Sequence, residues 1–308
     1  MKIIIILILL ITNLFPSGFI FNSNGNGDSE TIVFNLGEFS LGSKDNYSII
    51  NSTSKGTTQN FGEPELPTFS FNYSIENSKE YSVDYSVISY EIYENINLYP
   101  EQNIIGDFVK NVSLYSSNKK YPNTNLNIKR QSLRGYQLLG IELIPFEYNF
   151  STKQLKVYTQ VEIEIQEIGT RNNQTIIPGS NLFRNIYSDI VSNDEMMDTR
   201  NMQQPSILYI MENFTSVINP LIEWRRKQGY IVNVIDRDDI NGSFNTNNIK
   251  NYISNAYYSW DNPPEFVCLV GDANGSFEVP TYNVGEGGGW SGAYGEGDFP
   301  YTLIDGND

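Results

Sequence analysis

Residues 205–272 alternate between short apolar runs and amphipathic stretches, and this alternation constrains the fold more than any other feature of the chain. The run at 207–210 is apolar without alternation, as expected for a strand covered on both faces of a parallel sheet. Similar runs follow at 231–235 and 266–270. Strands that alternate with helices of this length predict β-α-β units and a parallel sheet. We therefore expect three buried parallel strands.

The two stretches between these runs have the spacing of helices. Asn219 and Pro220 predict an N-cap followed by a first-turn proline, and Gly229 predicts a left-handed residue at the C-terminal end. The second helix is predicted to end before Asn262, because the proline that follows disfavours the α region. Its apolar residues recur at offsets of three and four: Ile249, Tyr252, Ile253, Ala256 and Trp260.

The residues of this segment resemble the start of the gingipain-type (C25 family) cysteine peptidase domain. The phrases that carry the resemblance are LIEWRRKQGY at 221–230, IKNYI at 249–253, PPEFVCLVGD at 263–272, and the stretch 298–308. The resemblance implies that residues 205–308 are the N-terminal portion of an incomplete, caspase-like α/β peptidase domain. It also implies a secreted cysteine endopeptidase zymogen that acts on protein or peptide substrates. The family's catalytic His-Gly pair and nucleophilic cysteine are expected downstream of Asp308.

The chain itself offers no pair of residues for cysteine peptidase catalysis. It contains no histidine, so a Cys-His dyad cannot be assembled from its residues. Its single cysteine, Cys268, lies in the middle of the third predicted strand, where a free cysteine is expected to be a small buried apolar residue. We assign no catalytic, cofactor-binding or metal-binding residue from the sequence, and we expect this chain to be inactive by itself.

The N-terminus and the overall charge indicate an exported protein. Lys2 precedes an apolar run at 3–11, and Pro16, Ser17 and Gly18 supply small and helix-breaking residues, the pattern of a signal peptide over residues 1–20. A membrane anchor would need about 20 apolar residues, so we expect membrane contact only during export, and a secreted or extracellular surface location. A net charge of −16 argues against nucleic-acid binding.

Residues 24–168 have the period of β-strands rather than of helices. In the stretch 155–165, apolar residues alternate with charged and polar ones, as in a strand with one core face and one solvent face. The stretch 81–92 changes parity between Val87 and Ile88, and a β-bulge there would reconcile the two registers. We predict an antiparallel all-β domain.

This β domain resembles the propeptide that precedes the catalytic domain in gingipain-type zymogens. The resemblance rests on LGEF at 36–39, GEPELP at 62–67, RGY at 134–136 and IPFEYN at 144–149. It implies that the domain binds its own catalytic domain, blocks the active site, assists folding and is removed by proteolysis. Two alternatives stay open: a β-sandwich of adhesive or structural use, and a non-catalytic exported surface or binding protein with a gingipain-like architecture.

Two loop regions complete the sequence reading. Residues 169–204 are rich in Asn, Gln, Asp and Met and are predicted to be a linker, in which Arg171 or, preferably, Arg200 would suit proteolytic processing. Asp272 follows the third predicted strand, at the edge of a parallel sheet where ligand-contacting residues gather. The glycine-rich, acidic loop after it could hold Ca²⁺, although a solvated surface loop fits better because the spacing matches no defined calcium motif.

Overall fold

The computed structural model describes residues 17–22, 29–54, 56–171, 177–193, 201–213, 215–284 and 295–304. The chain forms two compact units, each of which gathers segments that are distant in sequence. Unit 1 comprises residues 1–131, 137–172 and 191–194, and unit 2 comprises residues 132–136, 173–190 and 195–308.

Unit 1 is built mainly from antiparallel β-strands. The strands are β1 (Gly18–Asn22), β2 (Ser29–Asn35), β3 (Phe39–Lys44), β4 (Tyr47–Ser52), β5 (Gly56–Thr57), β6 (Pro67–Ile75), β7 (Lys79–Tyr93), β8 (Lys120–Tyr121), β9 (Leu126–Leu133), β10 (Tyr136–Leu143), β11 (Phe146–Asn149) and β12 (Gln154–Thr170). One sheet has the order β1-β2-β12-β11-β8 with β7 also paired to β12, a second has the order β5-β6-β10-β9, and β3 pairs with β4. A short helix, α1 (Val112–Tyr115), precedes β8.

Alternating apolar residues hold the two larger sheets of unit 1 together. Ile163 of β12 and Ile32 of β2 share one buried cluster with Phe71 of β6 and Ile141 of β10. A second cluster surrounds Phe146 of β11. The predicted antiparallel β domain is therefore confirmed, because the residues that alternate in the sequence lie on the inner faces of the sheets.

The predicted bulge in β7 is present. It does not bring Ile88 and the apolar residues after it onto the buried face of the strand, as we expected. Ser89 pairs with Gln160 and Val87 pairs with Val161, so Ile88 is the extra, unpaired residue. The partner strand β12 has its own extra residue, Thr159, between the pairs of Tyr158 and Gln160. The two irregularities compensate each other, so the parity of β7 is preserved and Ile88, with Tyr90 and Ile92 beyond it, stays exposed.

The predicted signal-peptide boundary falls within a strand. Gly18 pairs with Asn35 and Ile20 with Val33 in the β1–β2 ladder, so a boundary at residue 20 would divide β1. Residues 1–16 lie outside the described part of the chain, and the signal peptide stays a prediction. Within the described ranges, no helix is long and apolar enough to cross a membrane.

The predicted linker 169–204 contains regular structure. Helix α2 (Asn181–Ile190) occupies its middle and belongs to unit 2. The next residues return to unit 1, where the side chain of Asn193 accepts a hydrogen bond from the Ser74 amide (2.6 Å) and donates one to the Ser74 carbonyl (3.1 Å). The segment therefore contributes to both units.

Unit 2 contains the predicted parallel sheet. Its strands β13 (Ser206–Met211), β14 (Ile231–Ile235) and β15 (Phe266–Val270) lie in the order β14-β13-β15, and both pairings are parallel. Ile222 of helix α3 (Asn219–Lys227) packs on one face of the sheet, and Ile249 and Ile253 of helix α4 (Thr246–Ser259) pack on the other. A two-stranded ribbon, β16 (Tyr282–Val284) with β17 (Gly295–Gly297), follows. The expected fold class, an antiparallel β domain followed by an α/β parallel sheet, is confirmed.

Two local expectations in unit 2 are wrong. Residue 219 is the first residue of α3 rather than its N-cap, because the 3₁₀ turn Thr215–Ile218 leads directly into the helix. Strand β15 is not buried: Phe266, Val267 and Cys268 are exposed. Within the described ranges β15 is an edge strand, so it lacks the second neighbour that buries the central strand β13.

The buried amide of Asn125 offers a test of the core of unit 1. Its Nδ2 donates to the carbonyls of Ile144 (2.7 Å) and Phe146 (3.0 Å), and the residue is buried. Asn125→Ala should lower the free energy of unfolding by about 1–3 kcal/mol, because both carbonyls lose a buried donor. The exposed Asn127, which bonds Glu142, provides the control: Asn127→Ala should cost less than about 0.5 kcal/mol in urea denaturation. Equal effects of the two changes would contradict this interpretation.

Candidate functional site at the carboxyl end of the parallel sheet

The strand order of unit 2 defines one edge of the sheet as the place for a binding site. The first strand, β13, is central, and the chain runs to β14 on one side and then to β15 on the other. Helix α3 lies on one face and α4 on the opposite face. In open parallel sheets a crevice forms beyond the carboxyl ends of the strands where the order reverses in this way. Here that point lies between Met211 of β13 and Val270 of β15.

A cleft of about 210 Å³ lies beside the carboxyl end of β15. Polar groups face it from three segments, with Asp272 after β15, Thr281 before β16 and Asp298 after β17. The Thr281 hydroxyl is 3.2 Å from Oδ1 of Asp298. The remaining lining residues are Leu269, Gly271, Ala273, Val279 and Gly297. The cleft is thus a small, open depression with two aspartates, Asp272 and Asp298, in its lining.

The backbone of the loop after β15 is folded tightly onto the strand. The Asp272 amide donates to the Phe277 carbonyl (2.9 Å), and the Val279 amide donates to the Asp272 carbonyl (2.9 Å). A side chain at Gly271 would collide with that Phe277 carbonyl and would place its Cβ 2.7 Å from Cγ2 of Val279. Glycine is therefore required at 271 by the close approach of two backbone segments.

The predicted position of Asp272 at a strand end is confirmed, but its carboxylate is committed locally. Its Oδ1 accepts a hydrogen bond from the Ala273 amide (2.8 Å). At the same edge of the sheet, Glu212 after β13 pairs with Arg237 (2.5 Å). Among the described residues no group of three or more His, Cys, Asp or Glu side chains could hold a metal ion. Residues 285–294 of the glycine-rich loop lie outside the described part, so the Ca²⁺ hypothesis stays a prediction.

Tyr301 holds the segment that carries Thr281 in place by contacts with the residues on either side of it. Its hydroxyl donates to the Pro280 carbonyl (2.5 Å), and its ring meets that of Tyr282 edge to face at 4.9 Å. Burial raises the pKa of the Tyr301 hydroxyl well above its ordinary value. The phenol therefore stays neutral and acts as a hydrogen-bond donor that fixes the segment carrying Thr281.

Cys268 lies in β15 and not in the cleft. The register of β15 places it opposite Tyr209, whose side chain packs on the face covered by α3. Desolvation raises the pKa of the Cys268 thiol, and the nearby charge of Arg225 opposes that shift. A raised pKa is the reverse of what an activated nucleophile needs.

Arg200, the preferred processing residue, lies outside the described residues. The residues that follow it, 201–203, are hydrogen-bonded to Gly179. The Gly179 amide donates to the Asn201 carbonyl (2.8 Å), and the Gln203 amide donates to the Gly179 carbonyl (2.8 Å). These bonds form a parallel bridge between Gly179 and Met202. Arg171 is described, and its guanidinium pairs with Glu80 (2.8 Å).

The sequence reading missed a buried polar cluster at the opposite, amino end of the parallel sheet. The Pro263 carbonyl accepts hydrogen bonds from Arg134 (3.0 Å), Gln203 (2.9 Å) and Ser206 (2.8 Å). The signal that the sequence offered was the glycine of Arg134-Gly135, which is typical of a tight turn. In the structure both residues have positive φ. That signal predicts a turn and gives no indication of its partners.

Two family profiles match the chain in succession. Residues 39–202 match the propeptide of family C25, and residues 200–308 match peptidase family C25. Because the propeptide match alone covers more than half of the chain, this chain belongs to the C25 peptidase family, as a propeptide followed by part of the peptidase domain. The resemblance inferred from the sequence is confirmed.

Similar proteins come from Porphyromonas gingivalis. Gingipain R2 is 22% identical over 241 residues, which are 72% of this chain and 32% of the relative. Lys-gingipain is 22% identical over 156 residues, which are 46% of this chain and 9% of the relative. The chain thus spans about a third or less of the length of these curated relatives.

Two solved structures are similar at a low level. A complex of the pro- and mature domains of P. gingivalis RgpB matches 56% of this chain and 96% of that chain, with a TM-score of 0.46 and 19% identity. A structure on the zymogenic latency of gingipain K from the same organism matches 50% of this chain and 94% of that chain, with a TM-score of 0.43 and 17% identity.

The close approach at Gly271 predicts a large effect of a small substitution. Gly271→Ala should lower the free energy of unfolding of unit 2 by about 1–3 kcal/mol or more, because the loop 272–279 must move away from β15. The matched control is Gly169→Ala, where a Cβ would meet no atom within 4 Å. Thermal unfolding followed by far-ultraviolet circular dichroism, which reports on both units, would measure both variants. An unchanged transition in Gly271→Ala would contradict the predicted collision.

The direction of the Cys268 pKa shift predicts how its reactivity depends on pH. The thiolate is the reactive species, so alkylation by iodoacetamide should rise with pH later than for an unperturbed cysteine. Arg225→Gln should move the profile to still higher pH, because it removes the charge that lowers this pKa. Arg226→Gln, which removes the partner of Glu223, should leave the profile unchanged. A shift to lower pH in Arg225→Gln would refute the assignment.

Proposed function

We propose that this chain is the N-terminal part of a secreted cysteine endopeptidase zymogen that hydrolyses protein or peptide substrates. The observation that carries the proposal is the order of the two family matches, propeptide first and peptidase second, on one continuous chain. In such an enzyme a cysteine thiolate attacks the scissile carbonyl while a histidine assists proton transfer. This pair cannot be assembled from residues 1–308, since the sequence holds no histidine. This chain alone is therefore expected to be inactive.

The propeptide is proposed to bind and block its own catalytic domain until it is cut away. Support comes from the match of residues 39–202 to the propeptide of family C25, directly before the match to the peptidase. The two family matches meet at residues 200–202, directly at Arg200. Arg171 is less suitable, because its guanidinium is paired with Glu80 and its backbone amide bonds the Ser78 carbonyl (2.7 Å). We therefore propose Arg200 as the processing site.

Export is proposed from the N-terminal charge and apolar run at residues 2–11. The mature protein is expected outside the cell or on its surface. Removal of a signal peptide over residues 1–20 would leave an N-terminus at Phe21, within β1.

The test uses a longer reading frame that contains this chain. We expect a processed form that begins at Asn201, hydrolyses a denatured protein substrate, and loses that activity after treatment with iodoacetamide. Arg200→Gln should keep the protein as the precursor, whereas the control Arg171→Gln should process normally. The 308-residue chain by itself should show no hydrolysis.

Two results would reject parts of the proposal. A processed protein without thiol-sensitive hydrolysis would favour the alternative, a non-catalytic exported binding protein with a gingipain-like architecture. Normal processing of the Arg200→Gln variant would reject the proposed cleavage site while leaving the peptidase assignment intact.

A further inference from the structure

The buried cluster around Arg134 is the polar feature of unit 2 that the proposed chemistry does not use. Nη1 of Arg134 donates to the Pro264 carbonyl (2.7 Å), and Nη2 donates to the Pro263 carbonyl (3.0 Å) and to Oε1 of Gln203 (2.8 Å). The residue is only 8% exposed. The planar fork of the guanidinium thus meets three acceptors at once, an arrangement that lysine cannot reproduce.

The surroundings of the guanidinium strengthen these bonds. The rings of Phe183 and Tyr257 lie 5.4 and 5.6 Å from its central carbon. Apolar walls of this kind lower the local dielectric and strengthen hydrogen bonds made by a charged donor. Arg134 and all of its partners named here belong to unit 2.

Gln203 transmits this restraint to the backbone that follows Arg200. Its Oε1 accepts from Arg134, and its Nε2 donates to the Pro263 carbonyl (2.9 Å) and lies 3.2 Å from the Ser206 hydroxyl. Its backbone amide bonds Gly179. Residues 201–203 are therefore fixed by their backbone to Gly179 and by one side chain to Arg134.

Proteolysis at Arg200 requires these residues to detach. An endopeptidase binds several residues on both sides of the scissile bond in its own cleft, so bonds to Gly179 and Arg134 compete with that binding. When opening is fast, the cleavage rate follows the population of the open state. We propose that Arg134 is a positioning residue that restrains residues 201–203 and so limits the rate of cleavage after Arg200. This inference rests on the proposed processing at Arg200.

The experiment is limited proteolysis of the 308-residue chain with trypsin, followed by N-terminal sequencing of the fragments over time. Arg134→Met should speed the appearance of the fragment that begins at Asn201 by about ten- to a hundredfold, the effect of losing a charge-assisted hydrogen bond on an opening equilibrium. Arg134→Lys should fall between Arg134→Met and the unaltered chain. Gln203→Ala should act like Arg134→Met, and the double variant should add little, because both changes break the same link.

Two controls separate a local restraint from a general loss of stability. Arg130 lies in the same hairpin and donates to the Lys79 carbonyl (3.2 Å), away from residues 201–206, so Arg130→Met should leave cleavage after Arg200 unchanged. Cleavage after Arg171 and Arg226 should keep its rate in all variants, whereas general unfolding would accelerate every site.

Equal rates after Arg200 in the unaltered chain and in Arg134→Met would overturn the proposal, as would resistance of this bond in every variant. Uniform acceleration at all sites would also overturn it. Because trypsin supplies the cut, the outcome does not depend on the chain being a peptidase precursor. Acceleration by Arg134→Met, together with natural processing at another residue, would reject only the processing site.

Discussion

The burial of β13 on both faces is the constraint on which unit 2 depends. All six of its residues are buried, with Ile207 and Tyr209 facing the α3 side and Leu208 and Ile210 facing the α4 side. Each such side chain stabilises the fold by about 1.5–3 kcal/mol only if both faces are covered. The strand must therefore be central, with one helix on each side. That arrangement sends the two connections in opposite directions, so the crevice expected beyond the carboxyl ends of the strands lies between β13 and β15.

Much of this architecture could be predicted from periodicity, because period two and unbroken apolar runs report local burial directly. What could not be predicted is burial that depends on neighbours. The apolar sequence of β15 is that of a central strand, yet Phe266 and Cys268 are exposed at an edge. In the same way, the bulge at Ile88 was visible in its own strand, whereas the compensating residue, Thr159, lies in the partner strand.

The candidate site also combines features that the local sequence predicts with features that depend on distant segments. Asp272 was predicted at a strand end because strand ends are local features of a sequence. The need for glycine at 271 comes from the returning segment at Phe277 and Val279, whose approach no local pattern encodes. The Arg134 cluster was hidden for a stronger reason, since its hydrogen bonds join residues 69 to 130 positions apart in the chain.

The assembly of unit 2 from segments 132–136, 173–190 and 195–308 has a consequence for synthesis on the ribosome. The turn that carries Arg134 emerges and can close its hairpin well before β13 and β15 exist. Closing contacts of long sequence separation is slow, because the loop entropy must be lost before the contacts form. The hydrogen bonds of Arg134 to Gln203, Pro263 and Pro264 can form only after those later segments have been made. Unit 2 therefore cannot be completed until synthesis has passed residue 264.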